Sequence, residues 1–161
     1  MPLQRLSFGD DDGVLLTGTN RQVISGQGAT RTLLSREAGA LCLFDRAAGI
    51  VYTLPAPTTL NIGAYFDFLV TVSVTSNAHK VITDAATTFL VGATVMGSIA
   101  TASPGGFSAN GTTIRALSAN GTTTGGLIGE TYRVTLLNST QWGITGVQIG
   151  SGTLATAFAT S

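Results

Sequence analysis

Residues 66–75 alternate large apolar side chains with smaller or polar ones, and this alternation constrains the fold more than any other feature of the chain. Successive side chains of a β-strand point to opposite faces of the sheet, so every second residue shares a face. The alternation therefore predicts one half-buried strand that presents five apolar side chains to a core: Phe66, Phe68, Val70, Val72 and Val74.

Shorter period-two segments occur along the rest of the chain and indicate further strands near 41–44, 50–54, 81–83, 89–96, 132–136 and 142–149. The six residues Ser-Ala-Asn-Gly-Thr-Thr occur at 108–113 and again at 118–123. Asn-Gly is a strong signal for a type I′ hairpin turn. The repeat therefore predicts a meander of short strands, with chance similarity in a Gly- and Thr-rich chain as the alternative.

The predicted fold class is all-β, an antiparallel β-sandwich or barrel of short strands with an extended N-terminal arm. The 21 glycines are spread along the chain and oppose long helices. One weak helical candidate lies at 32–40, with Ser35 as its cap. We expect residues 1–30 to form the arm, or alternatively a disordered N-terminus, and residues 31–161 to form a β-rich domain.

The charge content excludes several functional classes. Charged residues make up 10% of the chain and hydrophobic residues 43%, whereas a typical soluble domain is about 25% charged. This composition favours a protein that buries surface against other protein chains. Eight basic and eight acidic residues are scattered along the sequence, which argues against nucleic-acid binding because that requires concentrated positive charge.

Membrane insertion and secretion are not expected from the sequence. The longest apolar segment, 89–100, is interrupted by two glycines and is shorter than the ~20 residues that a spanning helix needs. The first residues lack the apolar core of a secretory signal. A single cysteine, Cys42, excludes an intrachain disulfide.

Residues that could carry chemistry are few, and we expect no catalytic residue, cofactor or metal site. His79 is the only histidine, in a polar segment beside Lys80, and is expected at the surface. Cys42 is expected to be buried or at an interface, because nothing beside it in sequence would lower its pKa. Residues 10–13, Asp-Asp-Asp-Gly, are expected to form a solvated acidic turn, although a weak calcium site is an alternative.

A hydrolase and a glycoprotein are the remaining alternatives that residue types alone allow. Glycoside hydrolysis usually requires two opposed carboxylates, and five residues are candidates by type only: Glu37, Asp45, Asp67, Asp84 and Glu130. Three Asn-x-Ser/Thr triplets begin at Asn110, Asn120 and Asn138. Without a secretory signal they are interpreted as turn residues.

Several motifs together resemble the head-decoration, or cement, proteins of tailed bacteriophages. They are DRAAGIVYTLPAP at 45–57, FDF at 66–68, TSNAHKVITD at 75–84, NGTTTGG at 120–126, and a closing run from Trp142 through Gly150-Ser151-Gly152-Thr153 to Phe158. The resemblance spans about residues 35–161. These motifs are turns and strands, so they indicate fold more specifically than role.

The resemblance implies a β-rich knob on the outer capsid surface of a virion, made in the host cytoplasm. It implies a homotrimer that bridges subunits of the major capsid protein and has no enzymatic activity. Residues 1–30 lie outside the resemblance, but their spaced apolar side chains suggest an arm that contacts the capsid or a neighbouring subunit. The expected contact residues are Leu3, Leu6, Phe8, Val14, Leu15 and Leu16.

A receptor- or carbohydrate-binding module of a phage head or tail fibre is the second functional hypothesis. Such a module needs exposed aromatic side chains on a β-sandwich. Aromatic residues make up 7% of the chain, and most fall on strand faces that the alternation predicts to be buried.

Overall fold

A computed structural model describes residues 21–26, 28–100 and 103–161, which form two packed β-sheets. The predicted all-β sandwich is confirmed. Its strands are β1 (Val23–Ser25), β2 (Thr30–Thr32), β3 (Leu41–Phe44), β4 (Val51–Thr53), β5 (Tyr65–Val70), β6 (His79–Ile82), β7 (Phe89–Ser98), β8 (Gly105–Asn110), β9 (Ala116–Ala119), β10 (Thr131–Asn138), β11 (Gln141–Gly150) and β12 (Phe158–Ala159).

Both sheets mix parallel and antiparallel pairs. The large sheet has the order β1-β3-β5-β10-β11-β7-β8, and the small sheet has the order β12-β9-β6-β4-β2. Of the ten pairings, five are parallel and five are antiparallel. The expectation of antiparallel pairing therefore holds for only half of the pairs.

Four of the five parallel pairs arise because the first six strands alternate between the two sheets. The odd-numbered strands β1, β3 and β5 lie side by side in the large sheet, and β2, β4 and β6 lie side by side in the small sheet. After crossing to the other sheet and back, the chain forms a strand beside its previous one in the same sheet, and the two strands run parallel. Residues 23–82 therefore wind through three successive turns of a flattened coil.

This winding stacks inward side chains in rows across the sheets. Ile24, Cys42 and Phe68 are register partners in the large sheet, and all three are buried. Phe44 and Tyr52 pack edge to face with ring centroids 5.2 Å apart, and the Tyr52 hydroxyl donates to the Leu43 carbonyl at 2.8 Å. The hydroxyl of the buried Tyr52 therefore has a hydrogen-bond partner inside the core.

Cys42 is buried among these side chains, as expected from the sequence. Burial raises the pKa of its thiol from 9.0 to about 12. The thiol is therefore protonated at neutral pH and acts as a small apolar side chain.

The predicted strand at 66–75 is shorter than its alternation suggests. Phe66, Phe68 and Val70 face the core as expected. The strand ends at Val70 because the backbone N–H groups of Thr71 and Val72 both donate to the Phe44 carbonyl, so the chain turns there. Val72 is consequently exposed rather than part of the buried face.

The repeated Asn-Gly motifs do not form type I′ hairpins. Neither asparagine has a positive φ, whereas Gly111 and Gly121 do. Instead, each asparagine side chain accepts hydrogen bonds from backbone N–H groups that follow it, at Thr112 and Thr113 for Asn110 and at Thr122 for Asn120. The predicted meander is also wrong, because β8 and β9 lie in different sheets.

The N-terminal end of the described chain belongs to the sandwich. β1 pairs with β3 and buries Ile24, so this strand lies within the range 1–30 that was expected to be an arm. The helical candidate at 32–40 contains only a single 3₁₀ turn, Ser35–Glu37.

His79 is buried rather than at the surface, which corrects the expectation from its polar neighbours. It begins strand β6, is 1% exposed, and its ring centroid lies 4.6 Å from that of Phe44. Its Nε2 lies 3.0 Å from the Val72 carbonyl and donates to it. Burial lowers the pKa of His79 below its ordinary value, so the neutral ring is favoured in the fold.

A pair of glycine substitutions tests the turn at the second repeat. Gly121 and Gly152 both have positive φ, but an added Cβ at Gly121 would collide with the Val74 backbone carbonyl, whereas Gly152 has open space. Gly152→Ala should cost about 1–2 kcal/mol of unfolding free energy through backbone conformation alone. Gly121→Ala should cost about 3 kcal/mol or more, since the backbone must also shift. Equal losses in urea unfolding would show that the close approach to Val74 is absent.

The burial of His79 predicts a specific acid sensitivity. A group whose folded pKa is lowered contributes stability that is present above its unfolded pKa and is lost as pH falls through the folded value. The protein should therefore lose stability as pH falls below 6.5, and His79→Gln should reduce this loss, because glutamine keeps a donor for Val72 and does not titrate. Thermal unfolding of both proteins between pH 7 and 5 measures the difference. If the unfolding temperature falls equally with pH in both proteins, His79 is not held neutral by its burial.

Candidate interaction surface

The outer face of the large sheet, formed by the side chains that point away from the small sheet, is the strongest candidate for a functional surface. Strand register places Leu43, Leu69, Val147 and Val95 in one line across it, with Thr131 at the centre. We call this line the apolar row. Val147 is 53% exposed and Val95 is 57% exposed. A sheet with one solvated face normally carries polar side chains there, so this row is unusual.

A second line of side chains runs beside the apolar row, two residues along each strand. Its centre is Asp67, which accepts two hydrogen bonds from Arg133 at 2.7 Å and one from Arg21 at 2.6 Å. We call Arg21, Asp67 and Arg133 the charged cluster. The hydrogen bonds from Arg133, together with those from Arg21, hold the pKa of Asp67 below its ordinary value, so the carboxylate is ionised at neutral pH.

Two further contacts fix the charged cluster in place. The Arg133 guanidinium lies 4.5 Å from the centre of the Tyr65 ring, a cation–π arrangement that limits its motion. The Arg21 guanidinium also donates to the backbone carbonyls of Gly39 and Ala40. The cluster therefore presents two held guanidinium groups around one carboxylate, with a formal charge of +1.

A shallow groove joins the charged cluster to the apolar row. Its lining includes Arg21, Asp67, Leu69, Thr131, Arg133 and Thr145. Such a surface can bury an apolar strand or loop of a partner and can accept a carboxylate next to it. Exposed apolar patches of this kind mark contact sites for other protein surfaces.

Glu130 is the most deeply buried carboxylate of the described chain, but it serves the fold. Its Oε1 accepts the backbone N–H groups of Gly126 at 2.6 Å and Ile149 at 2.7 Å, and its Oε2 accepts the Tyr132 hydroxyl. Burial raises the pKa of Glu130. These bonds fasten the 126–130 loop to β11, and the carboxylate is closed to solvent.

The other carboxylates considered for hydrolysis are each engaged locally. Glu37 pairs with Arg31 at 2.6 Å, Asp45 accepts from Ser25 at 2.5 Å, and Asp84 accepts from Thr88 at 2.8 Å. Among residues 21–26, 28–100 and 103–161, no three histidine, cysteine or acidic side chains are grouped as metal ligands would be.

The contact residues expected from the sequence lie outside the described part of the chain. These are Leu3, Leu6, Phe8, Val14, Leu15 and Leu16, and the acidic segment 10–13 lies there as well. Sequence reasoning missed the charged cluster entirely, because its members are separated by 46 and 66 residues. No local signal marks such a juxtaposition.

Comparisons with protein-family models, with curated proteins and with solved structures found no match for this chain. Within the described ranges, none of the helical segments is long and apolar enough to cross a membrane.

Proposed function

We propose that this protein is a structural virion protein, a capsid decoration or cement protein. It binds the outer surface of a phage head and stabilises the lattice of major capsid protein subunits. The observation that carries the proposal is the exposed apolar row beside the charged cluster, in a chain with only 10% charged residues. The resemblance of its turn and strand motifs to cement proteins supports the same function.

The physical basis of such a function is burial of apolar surface at many equivalent sites. Each square ångström of apolar surface removed from water contributes about 25 cal/mol. A homotrimer that contacts several capsid subunits at once would bind more tightly than one subunit alone, since each contact raises the effective concentration of the next. The activity then requires complementary surfaces and no reacting group.

The alternative of a carbohydrate-binding module has less support. Sugar recognition commonly uses exposed aromatic rings. Among the described residues, every phenylalanine, tyrosine and tryptophan is buried or partly buried, and the half-buried Tyr65 ring is already covered by Arg133.

Removal of residues 2–20 tests the role of the N-terminal segment. We expect the truncated protein to keep its β-sheet circular dichroism spectrum, because all twelve strands of the described residues begin at Val23 or later. Co-sedimentation with capsids that lack the protein should fall at least tenfold, since the expected contact residues are removed. Undiminished binding by the truncated protein would remove the segment from the docking site.

Charge placed on the apolar row tests the outer face itself. Val95→Asp combined with Val147→Asp should weaken capsid binding by about 10–100-fold, because an unpaired carboxylate would be buried at the contact. Thr53→Asp, on the outward side of the small sheet, is the matched control and should bind normally. Capsid binding by the Val95, Val147 double variant at the level of the control would exclude the outer face as the contact surface.

A further inference from the structure

The chain enters the sandwich at its outer face. Arg21, the first described residue, is fastened there by its bonds to Asp67, Gly39 and Ala40. The 20 residues that precede Arg21 are therefore joined to the sandwich at the charged cluster. Asp12 precedes Arg21 by nine positions, a length of chain that can span up to ~30 Å when extended, so residues 10–16 can reach every strand of this face.

The charges of the two parts of the chain are complementary. Residues 1–20 contain Arg5, Asp10, Asp11 and Asp12, a net charge of −2. The rest of the chain contains the other seven basic and five acidic residues, a net charge of +2. At the outer face, two guanidinium groups surround the single carboxylate of Asp67, so a second carboxylate would neutralise the charged cluster.

The spacing between acidic and apolar residues in residues 10–16 also matches the spacing between the charged cluster and the apolar row. Val14 and Leu16 follow Asp12 at intervals of two residues. On the sheet, Leu69 follows Asp67 at the same interval, and Val147 follows Thr145 likewise. Two residues of extended chain cover about 7 Å. The carboxylate of Asp12 on the charged cluster therefore brings Val14 to the apolar row, and Leu16 lies two residues further along the strand direction.

We propose that residues 10–16 bind the outer face of the large sheet of their own chain. The aspartates lie against Arg21 and Arg133, Val14 covers the apolar row, and Leu16 lies on the face just beyond it. Binding within one chain is favoured over binding to a second copy because a short tether gives an effective concentration in the millimolar range. Resting on the proposed function, the capsid contact would consist of this anchored segment together with the part of the outer face that it leaves open. Leu3, Leu6 and Phe8 would be held beside that face.

Disulfide trapping in the protein without capsids tests the anchor. Cys42 is fully buried with a raised thiol pKa, so introduced cysteines react alone. A disulfide requires Cα atoms about 4.4–6.8 Å apart. Val14→Cys with Val147→Cys should form an intrachain bond at least tenfold faster than Val14→Cys with Ser118→Cys, a matched position on the small sheet. Replacement of Asp10, Asp11 and Asp12 by asparagine should slow the first reaction several-fold.

The outcomes separate this inference from the proposed function. Equal trapping rates at the two positions would overturn the anchor, and so would disulfides found only between two chains, since those place the segment on a second copy. A fast intrachain bond in a protein that ignores capsids would support the anchor and reject the decoration role. Capsid binding by a protein that forms no fast intrachain bond would support the decoration role and reject the anchor.

Discussion

The packing of inward side chains between the two sheets is the constraint on which the rest of the structure depends. Ile24, Cys42 and Phe68 form one buried row, and Phe44 and Tyr52 close the space above it. Because the first six strands alternate between sheets, each turn of the coil adds one layer to this core. Burial of these side chains fixes the strand register, since a shift by one residue would turn them to solvent.

The same register determines the outer face. Once Phe68 and Tyr132 point inward, Asp67, Arg133 and Leu69 must point outward on neighbouring strands. The charged cluster and the apolar row are therefore consequences of core packing on the opposite side of the same strands. The proposed function needs such a laterally extended surface, and a seven-stranded sheet supplies it.

Polar side chains, both buried and exposed, hold the loops that connect the strands. Glu130 binds the backbone of the 126–130 loop and of β11, and Asn110 and Asn120 close the two repeated turns. Gly121 approaches the Val74 backbone too closely for a side chain. These contacts keep both ends of the sandwich compact while few charges face the solvent.

The sequence by itself determined the all-β class, the buried position of Cys42 and most strands, because alternation and turn residues are local properties. The expected N-terminal arm at 1–30 was wrong where β1 joins the large sheet, since that pairing is a long-range contact. Only the tertiary structure decided that the sheets are mixed, that β8 and β9 separate, and that His79 is buried, since each depends on which strands become neighbours. The charged cluster belongs to this second group: Arg21, Asp67 and Arg133 meet only because β1, β3, β5 and β10 pair side by side.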